Sequence, residues 1–144
     1  MSLDSITSQC QQLEIKLQFD SQQLSELKKM YQNEQRELTA QKARVAKKQQ
    51  LHKEMAVGMV VVDPMLWENK LKFALQLLFD IRLHETKVAE LEIITEQLAE
   101  KIALVLTRQK LMKERLKELK QDAQIYLVEC QQRQLQEVPR RVQC

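Results

Sequence analysis

The sequence predicts an all-α fold: a two-helix antiparallel coiled-coil hairpin with unequal arms and its turn near residues 57–65. Three observations lead there. The strong helix formers Ala, Glu, Lys, Leu, Arg, Gln and Met dominate the 144 residues. An apolar repeat of seven residues runs through most of the chain. Turn-forming residues are scarce and local, with the single glycine, Gly58, close to Pro64, one of only two prolines. Such a chain has the length of one domain but buries a narrow seam instead of a thick core. The expected organisation is a single elongated hairpin: helix 1 over about 4–56, turn over about 57–63, helix 2 over about 64–138, and a disordered tail at 139–144.

Helix 1 follows from two interleaved sets of positions. One reads Leu3, Cys10, Leu17, Leu24, Tyr31, Leu38, Val45, His52. Its partner set, three residues later, reads Ile6, Leu13, Asp20, Leu27, Glu34, Gln41, Lys48, Met55. The first stays apolar until His52, and the second decays after Leu27. Asp4 or Ser5 is placed to cap the start.

The break comes in "VGMVVVDPMLWENK", residues 57–70. Gly58 and the valines are poor helix formers and suit an extended link. Asp63–Pro64 is a start signal, with Asp at the N-cap and Pro at the first helical position. A single uninterrupted helix would have to run through all of these, at a summed cost that folding back avoids. Helix 2 then carries Ala74, Ile81, Val88, Thr95, Ile102, Gln109, Leu116, Ala123 and Cys130 on one seam set. Leu77, His84, Leu91, Leu98, Val105, Met112, Leu119 and Tyr126 form the other. Pro139 is expected to end it. With the turn centred near residue 61, position i faces roughly 121 minus i. Leu3 then lies near Glu118 or Leu119, and Leu17 near Leu104. Helix 2 runs on by about 15–20 residues, roughly 20–30 Å. That overhang contains Ile125, Tyr126, Leu127 and Val128, with no partner inside the chain.

Composition narrows the function classes. Charge is +3, from 23 basic and 20 acidic residues, which is weak support for a nucleic-acid partner. The basic stretch 28–54 has only Tyr31 as an interleaved aromatic and partly faces the acidic stretch 85–100 in a hairpin, so it reads as a complementary, solvated face. Cys10, Cys130 and Cys144 lack metal-ligand spacing and suit a reduced, cytosolic setting. No apolar run reaches the roughly 20 residues of a membrane span, and no basic-then-apolar leader pattern opens the chain. Neither a phosphate loop, nor a nucleophile elbow, nor a cluster of His, Cys and carboxylates appears. The chain is therefore read as non-enzymatic, with no cofactor or metal.

Two features exceed what a plain hairpin requires. His52 and His84 fall on the seams; each is either a polar residue that helps set register or, for His84, a group exposed where helix 1 fails to cover it. The predicted register keeps the two too far apart to share a metal. Residues 71–83, "LKFALQLLFDIRL", are apolar around most of the helix circumference. They either pack on the hairpin tip, pair helices between chains, or dock a partner.

With that architecture, particular residues resemble the FliJ/YscO family, the coiled-coil stalk proteins of flagellar and type III secretion export machines. "YQNEQRE" at 31–37 is similar to a Tyr-Gln-Asn-Glu stretch of flagellar members. Trp67, Phe73, Leu77 and His84 are similar to their Trp…Phe…Leu…His pattern. Gln35 stands where a second tyrosine would fall, Asp80 where a small residue would, and the Tyr31–Trp67 separation is longer. These departures favour the injectisome branch. The resemblance implies a cytoplasmic stalk at the inner-membrane export apparatus, monomeric or weakly associating, with no nucleic acid. It implies that both chain ends insert in a hexameric export ATPase, for which Leu119, Tyr126 and Leu127 offer an apolar stripe. The tip, with Trp67, Phe73, Leu77, His84 and Tyr31, would meet the export gate and secretion chaperones. Alternatives are a generic coiled-coil scaffold or tether and a nucleic-acid-associated coiled coil using 28–54.

Overall fold

The computed structural model describes the backbone of residues 2–57 and 63–142, and the side chains of residues 2–56 and 63–137. Two helices account for nearly all of it, α1 over Leu3–Val57 and α2 over Pro64–Val142. Each begins with a side-chain cap. The Ser2 hydroxyl accepts from the Ser5 amide at 3.2 Å, so the cap of α1 is Ser2, not Asp4 or Ser5. A serine just outside the helix has the extended backbone that lets its oxygen turn back onto the first free amides; Asp4 and Ser5 are already inside the first turn. At α2 the expected cap holds: the Asp63 carboxylate accepts from the Met65 amide at 3.1 Å, and the Asp63 carbonyl accepts from Trp67 at 2.9 Å. Pro64 takes the first helical position. Most of the expected turn, residues 58–62, lies outside the described residues.

Pro139 does not end α2, which continues to Val142, so residues 139–142 are helical instead of disordered. Proline's fixed φ is itself helical, and its missing amide and its ring's clash with the carbonyl four residues back fall in the last turns of the helix. Residues 143 and 144 lie outside the described residues.

The contacts divide the chain into two units, Met1–Glu26 with Ile102–Cys144 (the terminal unit) and Leu27–Lys101 (the tip unit). In each, α1 and α2 segments pack antiparallel, as Glu14–Lys120 and Asp20–Arg108 show in the first and Lys42–Glu92 and Lys48–Asp80 in the second. The heptad seams are the cores. Every α1 seam position from Leu3 to Met55 is buried or half-buried, and so is every α2 seam position from Ala74 to Cys130 except Tyr126. Ile6, Leu24, Val105 and Leu119 form the core of the terminal unit; Leu38, Leu77, Ile81, Leu91 and Leu98 form that of the tip unit.

The register differs from the symmetric one. Asp20, expected near residue 101, meets Arg108. Glu14, expected near 107, meets Lys120, and Lys42, expected near 79, meets Glu92. The offset is roughly two to four helical turns. Polar seam residues are the physical reason. In the observed register buried Asp20 takes a guanidinium, buried Gln41 takes His84, and buried Gln109 donates to the Ser21 hydroxyl at 3.2 Å. No buried side-chain nitrogen or oxygen among the described residues lacks a partner. Leaving even one such group unsatisfied costs about 1–3 kcal/mol.

The offset moves both ends. Gln49 meets Glu85, so the last turns of α1 fall short of the first turns of α2, and Met65–Asn69 and Leu71–Phe73 are exposed. At the other end Ile6 is buried and shares a cleft with Asp122, Ile125, Tyr126 and Glu129. The overhang of α2 thus starts after half-buried Cys130 and not at Leu119, and Ile125 and Tyr126 have Ile6 beside them.

Candidate partner-binding surfaces

The most connected polar cluster lies in the tip unit. Gln41, 1% exposed, donates its amide N–H to the Glu37 carboxylate at 2.9 Å. A carboxylate only accepts, so the Gln41 carbonyl is the group that faces His84 and receives its Nδ1–H, also at 2.9 Å. That leaves the His84 Nε2 lone pair for the Lys48 ammonium at 3.0 Å. Lys48 also lies 3.7 Å from Asp80. The Gln41 amide holds the Glu37 carboxyl below its ordinary value of 4.5, with Lys87 and Arg44 adding to this against desolvation. Both nitrogens of the His84 ring are engaged by α1. His84 is therefore a register-setting seam residue and not a group left uncovered.

His52 is closer to His84 than the symmetric register implies. It lines a groove with Gln49, Lys53, Leu78, Ile81 and Glu85. Among the described residues no group of three or more His, Cys, Asp or Glu could hold a metal.

The apolar segment 71–83 divides cleanly. Leu77 and Ile81 are each 6% exposed and fill the seam, whereas Leu71, Phe73, Leu75, Leu78, Phe79 and Leu83 are exposed. Trp67 is exposed as well. Of the tip residues singled out from the sequence, only Trp67 and Phe73 present apolar surface; Leu77 cannot, and His84 is occupied. Tyr31 is half-buried, with its hydroxyl accepting from Gln35 at 3.0 Å. Lys42 meets Glu92, and Tyr31 lies three turns further toward the start of α1. At 1.5 Å per residue it is about 30 Å or more from Phe73, so the structure does not bring the two together.

In the terminal unit Leu119 is the most buried leucine of the chain, 1% exposed, and offers no surface. Tyr126 and Leu127 are exposed, as are Ile125 and Val128. Asp20, which reads in the sequence as a seam defect, anchors a fork: Arg108 Nε and Nη2 donate to its two carboxylate oxygens at 2.8 Å each, and Nη2 also donates to Gln23 at 3.2 Å. The signal for Arg108 was its place next to the seam residue Gln109, from which a long cation reaches across.

No helix among the described residues is long and apolar enough to cross a membrane. Comparison of the chain with protein-family models, with curated proteins and with solved structures finds no match in any of the three.

Proposed function

We propose that the chain is a non-enzymatic stalk or escort component of a type III secretion or flagellar export apparatus, peripheral at the cytoplasmic face of the inner membrane. Its terminal end engages a hexameric export ATPase, and its tip engages the export gate and secretion chaperones. The observation that supports this reading is that apolar side chains are exposed near both ends of α2, as others such as Ile93, Leu104 and Leu111 are between them. Trp67 and Phe73 stand near its start, and Tyr126 and Leu127 near its end, while the seam between helices is closed within each unit. The resemblance of Trp67, Phe73, Leu77 and His84 to the FliJ/YscO pattern supplies the class of partner. A generic dimeric scaffold is the weaker reading, because the heptad seam is already filled within one chain.

Tyr126→Ala combined with Leu127→Ala is expected to reduce stimulation of the purified cognate ATPase several-fold, with helicity by circular dichroism unchanged. Both side chains lie outside the core, so loss of fold is not expected. Full stimulation by the double variant would overturn the assignment of the terminal end. At the tip, Phe73→Ala is expected to weaken capture of the gate's cytoplasmic domain or of a chaperone. A pull-down insensitive to that change removes the tip from the interface.

A further inference from the structure

Lys110, Lys113, Lys117 and Lys120 follow one another along α2 at helical spacing, and all four are exposed. They form one ridge, about 15 Å long at 1.5 Å per residue. Between them run two shallow clefts. One is lined by Leu106 with Lys110, Lys113 and Lys117, the other by Leu116 with Lys113, Lys117 and Lys120. The lysine stems thus flank a floor that is apolar at Leu106 and Leu116 and polar at Gln109, Gln121 and Gln124.

The ridge is poorly compensated by its own unit. Lys120 lies 3.8 Å from Glu14, with both side chains more than half exposed, a pair that solvent and salt weaken. Glu114 lines the first cleft beside the lysines. The tip unit holds one cross-helix pair of the same exposed kind, Lys42 on α1 with Glu92 at 3.2 Å. Among the described residues, Glu14 is the one acidic group of α1 within ion-pair distance of the lysine ridge.

We propose that this ridge is a docking surface for an acidic amphipathic helix of a partner protein. A facing helix with carboxylates at the same three- and four-residue spacing meets each ammonium in register, and its leucines lie on the floor between the lysine stems. Charge complementarity of this kind speeds encounter and selects partners. A nucleic acid is the poorer fit. No aromatic side chain lines either cleft for bases to stack on, and a phosphate backbone leaves the apolar part of the floor unused. This surface is independent of the apolar residues assigned to the ATPase and the gate.

The test uses the full chain and a short, fluorescein-labelled synthetic helix carrying glutamates at i, i+3, i+7 and i+10 beside leucines. Anisotropy titrations should show binding that weakens with salt. The variant K110Q/K113Q/K117Q/K120Q should lose about tenfold or more in affinity, with an unchanged helical spectrum because glutamine is also a good helix former. A control with the same charge change at Lys28, Lys29, Lys47 and Lys53 should stay within about twofold of the wild type. A scrambled peptide of the same composition should bind more weakly than the patterned one. Absence of binding, an equal loss in the control variant, or equal affinity for the scrambled peptide overturns the proposal. So does preferential binding of a single-stranded oligonucleotide or of phosphatidylserine vesicles.

Discussion

Arg108→Ala is expected to destabilise the chain by about 2–3 kcal/mol, seen as a fall of about 6–12 °C in the thermal midpoint followed by circular dichroism. The cost lies with the residue left behind. The Asp20 side chain is 7% exposed and takes both its strong donors from Arg108. Removing them strands a carboxylate in the seam. Arg108 itself is 53% exposed, so its own loss of contact contributes little. The reverse change should behave differently. Asp20→Leu leaves a half-exposed guanidinium that water can serve, and it places the residue the heptad expects at that position. Its stability should fall within about 1 kcal/mol of the wild type or above it, since hydrophobic replacement of buried ion pairs is often neutral or favourable. Equal losses in the two variants would refute this account of the fork.

Leu119→Ala should cost about 3 kcal/mol. At 1% exposure Leu119 is the best-covered apolar side chain among the described residues. The value belongs in the lower half of the usual range because a two-helix seam can close partly over the space that a thick core would hold open. Leu104→Ala is the matched control: Leu104 is 71% exposed on the same helix, and its truncation should change stability by no more than about 0.5 kcal/mol. Denaturant midpoints at unchanged slope would read the difference. Similar values for the two leucines would mean that position 119 is not part of the seam.

The heptads were legible because period is a local property. Leu24, Leu38, Leu91 and Leu98 announce a buried stripe without reference to any partner, and their burial follows. The Asp63–Pro64 start was legible for the same reason, as capping involves only neighbours in sequence. Register was not. It depends on which polar seam residue on one helix meets which on the other, and Asp20, Gln41 and His84 look like isolated defects until both helices are in place. The assignment of Leu119 to a surface descends from the symmetric register, whereas Leu77 and His84 lie on the seam in either register. A symmetric turn leaves Leu119 at the start of a free end; the true offset buries it. The same offset widens a separation of Tyr31 from Phe73 that the symmetric register already implies, and it brings His52 alongside Ile81 and Glu85. Exposure of Phe73 and Leu75 was foreseeable only as one of several alternatives, because an apolar run does not say what covers it.

The spacing of the cross-helix pairs also sets an order of closure. Gln49 and Glu85 are 36 residues apart in sequence, as are Lys48 and His84, whereas Asp20 and Arg108 are 88 apart. Joining the nearer pairs first costs about 0.8 kcal/mol less in loop entropy than joining the farther one. Once Lys48 and His84 have met, the chain left to close before Asp20 finds Arg108 is shorter than the 88 residues that separate them in sequence. Chain connectivity therefore favours zippering outward from the turn, with the hydrogen bonds around His84 testing the alignment before the leucines of the terminal unit commit to it.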